Sequence, residues 1–315
     1  MPTGATTYPS REQIQRARAR IEGHVRRTPV VEVQHDGHPF TLKLELLQHT
    51  GSFKPRGAFN SVLSASERPD VLVAASGGNH GLAVAHVGRA LGIPAEIFVP
   101  RTAPEIKVAR LRSLGARVHQ VGEGYAEALQ ASREVAQQPG ALSVHAYDSL
   151  PTVTGQGTVG AELAEQVPSD TVLVAVGGGG LIGGVTSWYT GSVRVVAVEP
   201  HGCPTLHAAL AAGWPVPTSP SGLAADSLGA SVIGDIGLAA AQDTGVQSLL
   251  VGDDDIRAAR QWLWRETRVA AEAGGATALA AVLSGAYRPE PGERVSVIVC
   301  GGNADPGDLS AEPDR

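Results

Sequence analysis

The chain has 315 residues, 43% hydrophobic and 18% charged, with a formal net charge of −6. That length can bury one large or two medium cores, and the acidic balance argues against a nucleic-acid or acidic-membrane binding face. No apolar run approaches the roughly 20 residues that span a bilayer, residues 1–20 lack a signal-peptide core, and Cys203 and Cys300 supply neither a disulfide framework nor metal-ligand spacing, so the expectation is a cytoplasmic enzyme or binding protein.

Residues 40–45 form a strand-like stretch that leads into Gly51-Ser52-Phe53-Lys54-Pro55-Arg56-Gly57-Ala58. A lysine set among small residues, a ring and a proline is either a solvated loop charge or a partly desolvated amine. In the second case its pKa falls, and the neutral amine can attack a carbonyl to form a Schiff base. Residues 71–75, 95–99, 116–121 and 142–146 then read as strands, separated by helices over 79–91, 104–114 and 125–137. Such alternation predicts a parallel sheet with helices on both faces. Ser76-Gly77-Gly78-Asn79-His80-Gly81 joins the first of these strands to its helix. Its serine, asparagine and open amides can bind a carboxylate, and Asn79 can donate to a ring oxygen; alternatively Ser76 or Asn79 only caps the helix. His80 has acid–base chemistry, but a lone histidine at a helix start is more often structural.

A second series follows, with helices over 157–166, 181–189, 253–268 and 275–284 and strands over 171–176, 193–198 and 294–299. Two α/β blocks are expected, with ligand chemistry between them at the carboxyl ends of strands. Residues 214–221 are proline-rich and read as a surface loop, and the polar tail after Asn303 reads as disordered. Gly177-Gly178-Gly179-Gly180-Leu181 follows a strand and opens a helix. Its unobstructed N–H groups at a helix N-terminus suit a phosphate; a flexible turn is the plainer alternative. No Gly-Lys-Ser/Thr follows, so it is not a Walker loop. Cys300-Gly301-Gly302-Asn303 closes the last strand. The thiol there either faces a ring nitrogen or is a buried structural cysteine.

A Schiff-base lysine, a phosphate cradle, a carboxylate loop and a ring-nitrogen partner together suit pyridoxal phosphate, which presents an aldehyde, a phosphate and a pyridine ring. In these four motifs, in their order and over residues 40–305, the chain resembles the fold-type II pyridoxal-phosphate enzymes. Within them it is most similar to the serine/threonine dehydratase (ammonia-lyase) and serine racemase-like branch. The resemblance implies a two-domain α/β fold of the tryptophan synthase β-like kind, each domain an open, mainly parallel sheet flanked by helices. Residues 1–60 and 147–315 would form a large cofactor-binding domain, and residues 61–146 a small domain carrying the substrate-carboxylate loop.

The same resemblance implies the cofactor, pyridoxal 5′-phosphate, and a role for each matching residue. Lys54 holds the cofactor and, once substrate releases it, acts as base at Cα. Phe53 flanks the cofactor, Asn79 bonds its ring hydroxyl, and Gly177, Gly178, Gly179, Gly180 and Leu181 wrap its phosphate. Cys300 sits at the pyridine nitrogen, where a neutral thiol disfavours long-lived carbanion build-up and so suits elimination over transamination. Glu272 matches an acidic residue near the cofactor; its alternative is charge pairing at a helix N-terminus. Ser76, Gly77, Gly78, Asn79 and His80 bind the substrate carboxylate. The implied activity is that of a lyase, β-elimination of L-threonine or L-serine to a 2-keto acid and ammonia. The implied state is a cytoplasmic homodimer without nucleic-acid or membrane partners.

Racemisation needs an acid on the face opposite the lysine, a role that resembles that of a serine directly before the Gly-Asn-His run. Gly77 stands there and has no side chain, so a racemase is the second reading. A dehydratase of another β-hydroxy amino acid, such as 3-hydroxyaspartate, a β-replacement enzyme and a non-catalytic cofactor-binding protein are the others. The racemase-like branch also carries a divalent metal site after a Glu-Pro pair. This chain keeps Glu199-Pro200 but has Cys203 and Thr205 where an alanine and an aspartate are expected, and loss of the carboxylate removes a hard oxygen ligand. No such metal is expected, and a monovalent cation near Glu199 stays open. Tyr147-Asp148 falls where relatives line the substrate pocket, and Gly222-Leu223-Ala224-Ala225-Asp226-Ser227 looks like another cofactor-facing segment. The chain ends 12 residues after Asn303, without the regulatory domain of biosynthetic threonine dehydratases, which suggests a catabolic role.

Overall fold

The computed structural model describes residues 8–305 and residue 307. Of the polar tail expected to be disordered, residues 306 and 308–315 lie outside the described residues. Ser10 opens α1 (Arg11–Ile21) with a capping box, its hydroxyl accepting from Gln13 N while the Gln13 side chain accepts from Ser10 N. An antiparallel hairpin follows, β1 (Val30–His35) and β2 (His38–Lys43). The next helix, α2 (Lys54–Leu63), begins at the lysine itself. Pro55 sits in its first turn, where a missing N–H costs no helical hydrogen bond.

The middle of the chain runs β3 (Val71–Ala75), α3 (Asn79–Leu91), β4 (Ala95–Val99), α4 (Glu105–Ser113), β5 (Arg117–Gln120), α5 (Tyr125–Ala136) and β6 (Ala141–Ser143). These strands form a four-stranded sheet in the order β5-β4-β3-β6, all parallel. The chain continues with α6 (Leu150–Gln166), β7 (Thr171–Ala175), α7 (Gly180–Tyr189), β8 (Arg194–Pro200), α8 (Thr205–Ala212), α9 (Ala225–Leu228), α10 (Asp235–Thr244), β9 (Gln247–Val251), α11 (Asp253–Thr267), α12 (Ala273–Leu283) and β10 (Val295–Ile298). A six-stranded sheet has the order β1-β2-β10-β7-β8-β9, parallel except for the β1–β2 pair. The fold is thus α/β with two mainly parallel sheets. Strands β7 and β10 are buried along their whole length, which is why both are mostly apolar.

Two expected elements differ from the structure in ways that matter for the site. The strand expected over 142–146 ends at Ser143, and residues 144–148 instead turn across the cleft. The helix expected from Gly157 starts at Leu150. Its first turns are rich in threonine and glycine, poor helix formers in isolation, and are held by burial against α2 and α7. Residues 214–221, the proline-rich stretch, carry no helix or strand, as a loop should.

Candidate functional site

Parallel topology brings the carboxyl ends of β7 and β10 side by side. The glycine run leaves β7 and Cys300 leaves β10, so the pairing sets them in one wall. In the smaller sheet β3 and β6 are likewise neighbours, which sets the Ser76–Gly81 loop beside residues 144–148. Between these walls lies a narrow pocket. Phe53, Lys54, Asn79, Tyr147, Ser227 and Glu272 line it, together with Gly177 to Ile182, Leu228, Gly274 and Cys300.

Lys54 projects from the first turn of α2, and its Nζ donates to Ala146 O at 2.8 Å. The Nζ also lies 5.2 Å from the centre of the Phe53 ring. Burial pushes its pKa down to about 8, against the opposing pull of Cys300 and Glu272. A sizeable fraction is therefore a neutral, nucleophilic amine near pH 8, whereas an exposed lysine amine stays protonated until about 10.4. This is the desolvated amine, not the solvated loop charge. The apoprotein is expected to capture an aldehyde at Lys54 about tenfold more slowly for each pH unit below 8, with the rate levelling above it. A rapid-mixing series of visible absorbance against pH checks this; a flat profile from pH 6 to 9 would contradict it.

The glycine run is held by its carbonyls. Gly177 O accepts from Thr205 Oγ1 at 2.5 Å, Gly178 O from Gly234 N at 3.0 Å and Gly179 O from Gly183 N at 2.9 Å. The first amides of α7 have no helical acceptor. Gly179 has φ +92°, a conformation that disfavours side chains. A Cβ at Gly178 would stand 2.3 Å from the Tyr147 ring, so glycine lets the aromatic lie directly on the loop.

Asn79 joins the two walls. Its Nδ2 donates to Glu272 Oε1 and its Oδ1 accepts from Asn303 Nδ2, both at 2.6 Å, while Asn303 Nδ2 also reaches Thr50 O at 2.8 Å. Glu272 stands at the N-cap of α12, but its side chain makes no cap bond there; Ser227 Oγ accepts from Gly274 N instead, at 3.0 Å. Burial pushes the Glu272 carboxyl up to about 7, with the Asn79 bond opposing. Cys300 is buried, its Sγ 3.6 Å from Gly274 O, and burial beside Glu272 pushes the thiol up to about 12. It is a neutral thiol at every working pH.

The Ser76–Gly81 loop lies at the rim. Ser76 Oγ accepts from Gly78 N at 3.2 Å, and the first helical bond of α3 is Leu82 N to Gly78 O. The amides of Asn79, His80 and Gly81 are therefore free for an anion. The His80 ring is directed elsewhere: Nε2 donates to Val144 O at 2.8 Å, and burial, with Lys54 adding to it, pushes the ring down to about 3. It is a neutral structural histidine whose backbone amide alone serves the loop. Gly77 has ordinary space, the nearest atom to a built Cβ being Val99 Cγ1 at 3.5 Å. Tyr147 reaches the pocket because Tyr147 N and Asp148 N donate to His145 Nδ1, tightening the turn after β6. Ser227, from the segment 222–227, does line the pocket.

Behind α2 is a buried ion cluster. Arg56 gives Nε to Glu45 Oε2 and Nη2 to Glu45 Oε1, both at 2.8 Å, and Nη2 lies 3.0 Å from Glu162 Oε1. Lys43 Nζ lies 2.5 Å from the same Glu162 oxygen, which also accepts from Thr28 N at 2.9 Å. All four charged side chains are buried. Only Pro55 separates Arg56 from Lys54, so this cluster fixes the helix that carries the amine.

Glu199, beside which a cation stayed open, directs its carboxylate at the N-terminus of α8, accepting from Leu206 N and His207 N at 2.7 Å each. Among the described residues no group of three or more His, Cys, Asp or Glu side chains is arranged to hold a metal ion, and no helix is long and apolar enough to cross a membrane. Sequence reasoning assigned no role to Asn303, which stood in plain view at the end of a motif, and read Thr205 only as the loss of a metal-ligating carboxylate.

The pocket fits pyridoxal phosphate on the structure's own terms. It has one desolvated amine, a loop whose glycines side chains would block, and a neutral buried thiol. Comparison with known proteins agrees. The family described as "Pyridoxal-phosphate dependent enzyme" matches residues 21–301. An L-threonine ammonia-lyase of Thermotoga maritima is 35% identical over 93% of this chain and 75% of its own. A phenylserine dehydratase of Ralstonia pickettii is 34% identical over 95% of both chains. The solved structure of maize serine racemase superposes with a TM-score of 0.89 at 34% identity, covering 96% of each chain.

Proposed function

Given that the chain belongs to the family of pyridoxal-phosphate-dependent enzymes and is a lyase that uses this cofactor, we propose that it removes the β-hydroxyl of L-threonine or L-serine, releasing a 2-keto acid and ammonia. The observation that carries the reading is Lys54, a single desolvated amine facing a cradle of backbone amides across one pocket. Bound pyridoxal phosphate supplies an electron sink conjugated to the substrate amine, which acidifies the Cα–H bond. Lys54 holds the cofactor, then takes the Cα proton as general base, its depressed pKa matching that task. The amides of Asn79 to Gly81, with Ser76, orient the substrate carboxylate. The Gly177–Leu181 amides hold the phosphate. Phe53 and Tyr147 exclude water from the two sides, and Tyr147 limits the room left for the substrate side chain. Cys300, neutral and buried, places no charge on the ring nitrogen.

The test is keto-acid release from cofactor-loaded protein given L-threonine and, in parallel, L-serine. Product from either supports the elimination, and their ratio sizes the pocket. Product from neither overturns the substrate assignment, and a bulkier or acidic β-hydroxy amino acid that is also inert overturns the elimination itself.

Racemisation is the second reading, because a serine racemase is among the similar structures. Gly77 weighs against it, since it offers no acid. Its open surroundings accept a serine, so Gly77→Ser is expected to raise the racemisation-to-elimination ratio several-fold, read by chiral separation of product and residual substrate. An unchanged ratio removes Gly77 from the account.

The division into residues 1–60 with 147–315 and residues 61–146 belongs to this reading. It is supported by the four strands of the smaller sheet, which all lie between Val71 and Ser143. A cytoplasmic homodimer is also part of it, with light scattering of the loaded protein as the check on its mass.

A further inference from the structure

Glu199 is fully buried near the end of β8 and takes no part in the chemistry above. Its two carboxylate oxygens accept from Leu206 N and His207 N, so it grips the first turn of α8. Ser248 Oγ adds a third donor at 3.3 Å. That grip sets the position of Thr205, the first residue of α8, which is also fully buried. The Thr205 hydroxyl lies 2.5 Å from Gly177 O and 3.2 Å from Glu199 Oε1. A hydroxyl has one proton to donate, and the shorter contact assigns it to Gly177 O.

A peptide unit is planar and, when trans, points its C=O and N–H in opposite directions; the described chain has no cis peptide. Drawing the Gly177 carbonyl back toward α8 therefore turns the Gly178 N–H the other way, away from α8. The peptide lies between two glycines, which by themselves leave it free to rotate. Gly178 O and Gly179 O are already fixed by backbone donors, Gly234 N and Gly183 N. The first carbonyl of the run is fixed by a side chain.

We propose that Thr205, itself set by Glu199, is a positioning residue for the phosphate of pyridoxal phosphate: its hydroxyl anchors the Gly177 carbonyl and so aims the Gly178 amide at the phosphate. The role rests on the cofactor reading above and extends it to a residue outside the pocket lining. It also accounts for the threonine at this position, because a side chain without a hydroxyl would leave the Gly177 carbonyl without this donor.

The experiment titrates full-length apoprotein with pyridoxal phosphate and, separately, with pyridoxal, which has the aldehyde and ring but no phosphate. Visible absorbance reports binding. Thr205→Val, which keeps the shape, is expected to weaken pyridoxal phosphate roughly tenfold, the effect of one lost hydrogen bond. Pyridoxal affinity should be unchanged, and Thr205→Ser should stay within about twofold of the parent. Thr205→Ala is the companion variant, with less bulk to disturb folding if valine does. Equal losses for both ligands would make Thr205 a general structural residue and overturn the proposal, as would parental affinity in both hydroxyl-free variants. If the parent protein takes up no pyridoxal phosphate, the cofactor reading itself fails; if the parent binds and only the variants show no selective defect, that reading stands and the Thr205 role alone falls.

Discussion

Replacing Lys54 with alanine is expected to lower keto-acid release by at least about 10³-fold and to abolish covalent attachment of the cofactor. Two functions are lost together. On the proposed function, the amine that would hold the cofactor is gone, and so is the base that would take the Cα proton. Lys54→Arg should be as inactive, because a guanidinium cannot lose its proton in this range and so can neither attack an aldehyde nor accept a proton. Borohydride reduction followed by mass spectrometry reads the first loss directly. The parent should gain the mass of a reduced cofactor on the peptide containing Lys54, and neither variant should gain it anywhere. A variant that keeps a tenth of the parental rate, or a label on another lysine, would dismiss Lys54 as the reacting amine.

The second large effect is expected on stability. Glu162→Ala should destabilise the apoprotein by roughly 3–5 kcal/mol, because it leaves buried cations short of an anion. In the parent, one Glu162 oxygen meets Lys43, Arg56 and Thr28 N, and Lys43 and Arg56 are buried. Burial pushes the Glu162 carboxyl up, but Arg56 and Lys43 more than offset it and leave its pKa below the usual value. A depressed folded pKa means the proton binds the unfolded chain more readily. The stabilisation is therefore complete above the unfolded value of about 4.3 and is lost as pH falls through the lower folded value. Melting scans at pH 7 should show a fall of about 10 °C in Glu162→Ala. The gap between variant and parent should narrow as the buffer is taken below pH 4. A variant within 2 °C of the parent at pH 7 would show that Glu45 alone suffices for both cations.

Much of the fold was legible in the sequence where local pattern and tertiary burial agree. Strands β3 and β4 and helix α3 have the predicted limits, because short apolar runs and a glycine stop, Gly92 at φ +64°, mark their ends. Elsewhere the signal was present but not read. Ser10 and Gln13 spell a capping box before α1, and Lys54-Pro55 has the form of a helix start, yet neither segment is among the expected helices. The hairpin strand β1 and strand β9 are half-exposed edges of the sheet, and their mixed composition hides them. The short helices α8 and α9 are positioned by Glu199 and by the pocket wall rather than by their own periodicity, so no local rule finds them.

The site divides in the same way. Lys54, Asn79, the glycine run, Glu272 and Cys300 all reach one pocket; all but Glu272, which only the resemblance pointed to, stand in motifs whose residue types already state a chemistry. Long-range partners were not legible. Asn79 meets Glu272 across 193 positions and Asn303 across 224, and nothing in either local sequence declares the match. Glu272 had two readings, and the structure directs its carboxyl to Asn79 rather than to the helix end.

The position of β10 has a consequence for how the molecule is made. This strand, the last element in the described chain, lies in the interior of the larger sheet, between β2 and β7. Until residues 295–298 emerge, β2 and β7 have no common neighbour, and the hairpin waits unattached to the rest of its sheet. The smaller sheet needs nothing beyond Ser143. At translation speeds of about 5–20 residues per second, it can close on the order of ten seconds earlier. The newborn polypeptide thus passes through a stage with one finished half and one open half. Cys300 comes two residues after the end of the closing strand, so its part of the wall that faces Lys54 is the final part to form. A nascent chain cannot trap its cofactor early, and arrest of synthesis just before Val295 should release a species with an intact small half, exposed apolar strands and a strong tendency to aggregate.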